Sequence, residues 1–239
     1  MATFLFFLIG ACLGSFIPCF AERRQKALPQ SGRSCCMHCG TPIAPLYLVP
    51  VLGYFFSAGR CRHCGAPIPK ALPLIELFSG IVCALLSLRA APLLHLLLLC
   101  VVFALLLLLS LDDWQLHHIR DIDLLLLAAL LFADSLLFGA HFWLDQLIGA
   151  GLIALPLLLI QRIYPQGLGS GDVIFMAITG FYFGSLAVTT VFLIGIFCAL
   201  IYVLWLLTRK KASRGTALPL IPFLSTGFLF TLLEPSFFI

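Results

Sequence analysis

Two sets of residues in this chain have types and spacings suited to chemistry. The first is carboxylic. Asp172 closes "GSGD" (169–172) and is pinned between Gly171 and the apolar run "VIFMAI". Hydrocarbon cannot solvate charge, so an ionisable group at the edge of such a run marks a functional site unless it merely caps a helix. A second acidic interruption, "SLDDWQLHHIRDIDLLLL" (110–127), places Asp112 and Asp113 at the end of another apolar run. Either can meet Asp172 at one membrane depth. Two carboxylates sharing a site are the chemistry of an aspartic protease: one, ionised, takes a proton from attacking water, while the other, protonated, polarises the scissile carbonyl. Asp121 and Asp123 read as solvated loop residues. His117 and His118 are neighbours, about 100° apart on a helix, and are poorly placed to hold one metal together.

The second set is sulfurous. "CCMHCG" and "CRHCG" give Cys36-x-x-Cys39 and Cys61-x-x-Cys64. Two such pairs about 20 residues apart have zinc-site spacing, and four thiolates satisfy a tetrahedral Zn²⁺. The glycine after each pair suits a tight knuckle. A closed metal site supplies folding energy that a loop of this size cannot draw from a core, so the expected role is structural. Two disulfides, or four unrelated thiols, are the competing readings. His38 and His63 read as bystanders and Cys35 as a spare thiol. Cys12, Cys19, Cys83, Cys100 and Cys198 lie in apolar runs and read as small core residues.

The elements that must position these groups are membrane helices. The chain is 62% hydrophobic and 10% charged, against about 25% charged in soluble domains. The expected fold is an all-α integral membrane bundle of about eight spans, near 2–20, 72–88, 93–111, 122–138, 143–161, 172–186, 187–208 and 216–238. The first span lacks the basic start of a cleaved signal peptide. Seven of the fourteen Lys and Arg lie between Arg23 and Lys70; Arg209, Lys210, Lys211 and Arg214 share a short loop, and Arg120 and Arg162 occupy two others. Eight spans put all of these on one side and leave Arg89 alone on the other, so the basic loops, Asp112–Asp113 and Asp172 face the cytoplasm. The positive charge thus reports topology and gives no reason to invoke nucleic acid. The expected division is 1–90, two spans around a cytoplasmic tetracysteine loop at about 21–71, and 91–239, a six-helix peptidase domain.

Taken in order, these landmarks resemble the type IV prepilin peptidases, a GxGD family of membrane aspartic proteases. "GSFIPCFAER" (14–23) resembles the opening segment of that family, 36–64 its tetracysteine loop, "LPLIEL" (72–77) the entry to its second span, and "LPLIPFL" (218–224) the entry to its last. "DWQLHHIRD" (113–121) and "GSGD" stand where its two catalytic aspartates are expected, which favours Asp113 over Asp112 as the partner of Asp172. The chain departs from the pattern at Pro18, Arg120 and Ile174, where the family commonly has Asn, Pro and Lys. Its short architecture looks most like the competence-associated enzymes of Gram-positive bacteria.

The resemblance implies an enzyme of the bacterial plasma membrane that removes the leader of prepilins or pseudopilins at the cytoplasmic face. It also implies S-adenosylmethionine-dependent N-methylation of the new N-terminus, with Gly14, Arg23 and Glu76 nearest that second activity. A transporter holding a cation or proton between paired aspartates, and a zinc-binding membrane scaffold, are the competing classes. Helix dipoles suggest one further expectation: Asp172 opens a span and Asp113 closes one, so Asp172 would carry the charge and Asp113 the proton.

Overall fold

Apolar segments in a bilayer must satisfy every backbone N–H and C=O internally, and a helix does so within itself. The computed structural model accordingly shows helices throughout, with no extended sheet among the described residues. It describes the chain except residues 30–31, 37, 90, 140–142, 165–166, 210–217 and 235–239. The basic loop residues Lys210, Lys211 and Arg214 therefore lie outside the described residues, as do both ends of the span expected at 216–238. The chain forms two compact units, Met1–Leu96 and Leu97–Ile239.

In the first unit, α1 (Ala2–Gln25) packs along α3 (Ala71–Leu86), and between them lie a 3-10 turn (Pro45–Leu48) and the short α2 (Leu52–Phe56). Small residues set the approach of α1 to α3. A Cβ on Gly10 would strike the Ser79 carbonyl, and one on Gly14 would sit 2.6 Å from Ser79 Oγ and 2.9 Å from the Glu76 Cα. This is the small-xxx-small logic of membrane helix pairs, in which association comes from close backbone packing rather than from hydrophobicity.

The second unit holds α4 (Leu93–Leu116, whose first turn precedes the unit boundary), α5 (Asp121–Phe138), α6 (Trp143–Ile163), α7 (Ser170–Thr208) and α8 (Ile221–Leu233). By length and apolarity α1, α4, α6 and α7 are each able to cross a membrane, and α3 and α8 are shorter apolar helices.

The element α7 is not one rod. Gly184 interrupts it with φ 81° and ψ −177°, and the chain reverses there. Asp113 and Trp114 are neighbours at the end of α4; Asp113 acts electrostatically on Asp172, and the Trp114 ring lies 5.4 Å from that of Tyr202. A straight helix would hold Asp172 and Tyr202 about 45 Å apart at 1.5 Å per residue, so both cannot reach one end of α4 unless α7 folds back. The segments expected as spans 172–186 and 187–208 are thus the two arms of a helical hairpin.

Two acids hold that reversal. Asp145 of α6 accepts bonds from the backbone N–H of Ser185 (3.3 Å) and from its hydroxyl, and Tyr182 donates to Asp134 of α5 at 2.7 Å. A Cβ on Gly184 would collide with the Asp145 carboxylate. The backbone region itself is essentially reserved for glycine, at about 1–3 kcal/mol for other residues. Gly184→Ala is therefore expected to destabilise the second unit by at least that much, read as a lower unfolding midpoint in detergent.

One expectation needs correction. Asp123 is not a solvated loop residue: it is 7% exposed, in the first turn of α5, while Asp121 is exposed as expected. At i and i+2 the two point to different sides of the helix, and only Asp123 faces the protein.

Candidate active site and metal centre

The carboxylate site lies wholly within the second unit. Asp113 stands one turn before the end of α4 and Asp172 in the first turn of α7; they are 7% and 9% exposed. Segments 59 residues apart in sequence thus bring two buried carboxylates within electrostatic reach of one another. The glycines of "GSGD" make the approach possible. A Cβ on Gly171 would sit 2.8 Å from the Ile119 side chain, and one on Gly169 would crowd the Asp172 carboxylate at 3.3 Å. The glycines let the start of α7 press against the segment that follows α4 while leaving the acid room.

Sequence reading missed the group that fixes Asp113. The backbone N–H of Ile221 donates to Asp113 Oδ2 at 3.0 Å, in a buried setting, where α8 begins. Pro222, in the first turn of α8, marked that helix start, since proline is tolerated where the N–H has no helical partner. Trp114 packs on Phe223, and Ser110 Oγ lies 3.2 Å from Ser225 Oγ, so α4 and α8 are held together around this bond. Asp113 therefore faces the positive end of α8 as well as the negative end of α4. Asp113 thus lies in the last turn of α4 and against the first turn of α8, whose dipoles act on it in opposite directions.

Asp112 is also buried, at 2% exposed, but as the adjacent residue it projects about 100° away from Asp113. His117, with φ 50°, donates its backbone N–H to the Asp113 carbonyl and closes α4. Neither His117 nor His118 belongs to a metal-competent cluster among the described residues.

The one such cluster found there is Cys36, Cys39, Cys61 and Cys64 in the first unit, with all four sulfurs within 4.8 Å of one another. Cys36 and Cys64 Sγ are 3.8 Å apart, and Cys39 and Cys61 Sγ 4.0 Å. Four sulfurs at about 2.3 Å from a tetrahedral zinc would be about 3.8 Å apart, whereas a disulfide needs about 2 Å. The donor set fits zinc, and the sulfurs as placed form no disulfide.

The cradle is a structural repeat. Gly40 and Gly65, with φ 67° and 72°, return their N–H groups to the carbonyls of Cys36 and Cys61 at 2.8 and 2.9 Å. The Cys36 and Cys61 N–H groups bond in turn to Thr41 and Ala66. Left-handed backbone at these turns is what the glycines supply. The Thr41 hydroxyl and backbone N–H hold the Cys39 thiol down at about 6, and the N–H groups of Cys64 and His63 lower Cys61. Despite the backbone bond at Ala66, burial and the neighbouring thiols push Cys64 up to about 11. A bound cation would relieve that mutual repulsion. Cys35 turns away, its thiol 3.1 Å from the Arg33 carbonyl.

Gly14, Arg23 and Glu76 lie in the first unit with structural partners of their own. Gly14 is the α1–α3 contact described above, and Arg23 Nη2 donates to the Arg33 carbonyl at 2.9 Å. Glu76 Oε2 accepts the Val51 N–H at 2.6 Å.

Comparison with known proteins adds an independent line. Residues 8–90 match the bacterial peptidase A24 N-terminal domain, and residues 100–204 match the type IV leader peptidase family. The chain is 31% identical to a prepilin leader peptidase/N-methyltransferase of Aeromonas hydrophila, over 81% of this chain and 68% of that one. It is 26% identical to a protein of the same name from Bacillus subtilis (strain 168), over 93% and 90%. It is 28% identical to a type 4 prepilin-like proteins leader peptide-processing enzyme of Escherichia coli O78:H11, over 90% and 80%. No solved structure matches the chain.

Proposed function

Since the chain belongs to the type IV leader peptidase family, we propose that it is a membrane aspartic endopeptidase that removes the leader of type IV prepilins or pseudopilins. The observation that carries this reading is that buried Asp113 and Asp172 lie within electrostatic reach of one another in the second unit. We assign catalysis to these two. The ionised member takes a proton from water as it attacks the scissile carbonyl; its protonated partner polarises that carbonyl and then protonates the leaving amine. The Ile221 N–H orients one oxygen of Asp113 throughout.

The unit formed by residues 1–96 and that formed by 97–239 take different tasks. The second cleaves. The first carries a structural zinc on Cys36, Cys39, Cys61 and Cys64, and we associate Gly14, Arg23 and Glu76 with S-adenosylmethionine-dependent N-methylation. With the α7 hairpin counted as two arms, about eight spans cross the bacterial plasma membrane. The basic loops then lie in the cytoplasm and the aspartates open on that side. A prepilin presents a basic leader to the cytoplasm and an apolar helix to the bilayer, so its cleavage point meets the acids at the interface.

The test is direct. Purified enzyme in detergent is incubated with a prepilin, with and without S-adenosylmethionine, and product masses are read. Loss of the leader mass is expected in both reactions, with a further methyl group in the second. An uncut prepilin, with proton flux through the same protein in liposomes, would favour the transporter class instead.

A further inference from the structure

Between the two cysteine knuckles the chain makes an excursion, "PLYLVPVLGYFF" (45–56), that is apolar and yet turned outward. Phe55 is 68% exposed, Leu52 50% and Phe56 46%, with Leu46 and Leu48 also exposed. This is not a frayed loop. Gly53 packs its backbone against the Tyr47 carbonyl, where a Cβ would collide. Arg62 lies over the Tyr47 ring at 5.5 Å and donates to the Phe56 carbonyl at 2.5 Å. The knuckles tie both ends of the excursion to one sulfur cluster. A compact lobe thus holds its largest apolar side chains away from itself, and contiguous exposed apolar surface of this kind marks an interaction site.

What covers it follows from where the lobe is anchored. Val51, at the lobe's centre, has φ 64°, unfavourable for a β-branched residue, and its N–H is held by the Glu76 carboxylate at 2.6 Å. Glu76 is five residues into α3, which places the bond about 7.5 Å along that apolar helix. The outward face of α3 beside it, Leu74, Leu77 and Phe78, is exposed and apolar too. The lobe is therefore drawn back along α3 rather than extended into water. Interfacial elements bury their apolar face about 5–10 Å into the headgroup and acyl boundary, the depth this bond sets. The flanking charge suits the same neighbour: residues 21–70 contain seven Lys or Arg and one acid, Glu22. Such segments are attracted to an anionic cytoplasmic leaflet.

We propose that residues 45–56 form a membrane-dipping lobe, with Leu52, Phe55 and Phe56 seated among the lipids of the cytoplasmic leaflet. The lobe then fixes the zinc knuckles against the bilayer surface. The inference rests on the membrane reading of α1 and α3, not on the chemistry of the aspartates.

The experiment introduces Phe55→Trp into the full chain, reconstituted with zinc in vesicles containing anionic phospholipid. The added emission is read as the difference from the unaltered chain, whose tryptophans are Trp114, Trp143 and Trp205. Phospholipids brominated on the upper acyl chain should quench this added emission more than those brominated near the chain end, and more than aqueous acrylamide does. Stronger quenching by acrylamide would overturn the proposal. So would acrylamide quenching that disappears only when a prepilin is added, which would make the lobe a substrate surface. Leu52→Trp provides a second reading if Phe55→Trp loses its zinc. Prepilin cleavage by the same variants is expected to persist, so failure of the lobe and failure of the peptidase reading give different results.

Discussion

Asp172→Asn and Asp113→Asn are each expected to abolish leader removal, while Asp112→Asn should continue to cut. Asparagine keeps the volume of the side chain and can still accept the Ile221 N–H at position 113, so the helix start at α8 survives. What it cannot do is exchange a proton with water or with the leaving amine. A positioned acid or base contributes about 10²–10⁴-fold, so each single variant should lose at least that much in the cleavage rate. Zinc content, which belongs to the other unit, should be unchanged and serves as the control for folding. Normal cleavage by Asp113→Asn beside a dead Asp112→Asn would place the acid one residue earlier.

The second large effect concerns sulfur. Cys61→Ser or Cys39→Ser should lower zinc from about one ion per chain to near none, because structural sites are closed tetrahedra with no ligand to spare. Apparent binding free energies of structural zinc are about 10–16 kcal/mol, which in a small loop is most of the energy that orders it. The knuckles should then open, trypsin should cut at Arg60 and Arg62, and cellular abundance should fall. Cys35→Ser is the matched control: its thiol faces the Arg33 carbonyl and should be dispensable. Elemental analysis of protein purified without chelators decides the matter, and an absence of zinc there would refute the metal assignment.

Much of this was legible in sequence because it is written locally. The cysteine pairs with their glycines specify a knuckle in five residues, twice over, and the structure repeats it with the same hydrogen bonds. "GSGD" announces both the acid and the close approach that its glycines allow. Apolar runs marked the helices, and the arms of α7 were expected as separate spans, with the break set two residues beyond Gly184. Contacts between distant segments were not legible. Nothing local tells that Ile221 donates to Asp113 across 108 residues, or that Tyr182 donates to Asp134. Asp123 was misread for the same reason: whether an acid in a first turn meets water or protein depends on what packs there. The helix-dipole expectation was framed without α8, since the sequence argument gave Asp113 only the end of its own helix.

The most direct measurement compares the double variant Asp113→Asn/Asp172→Asn with the two singles, as residual rates of prepilin cleavage. Groups that act as one catalytic unit are strongly non-additive, because once either is gone the other has nothing left to do. If Asp113 and Asp172 share the proton that cuts the leader, the double variant should be no slower than the slower single. Rate losses that multiply in the double variant would contradict the pairing.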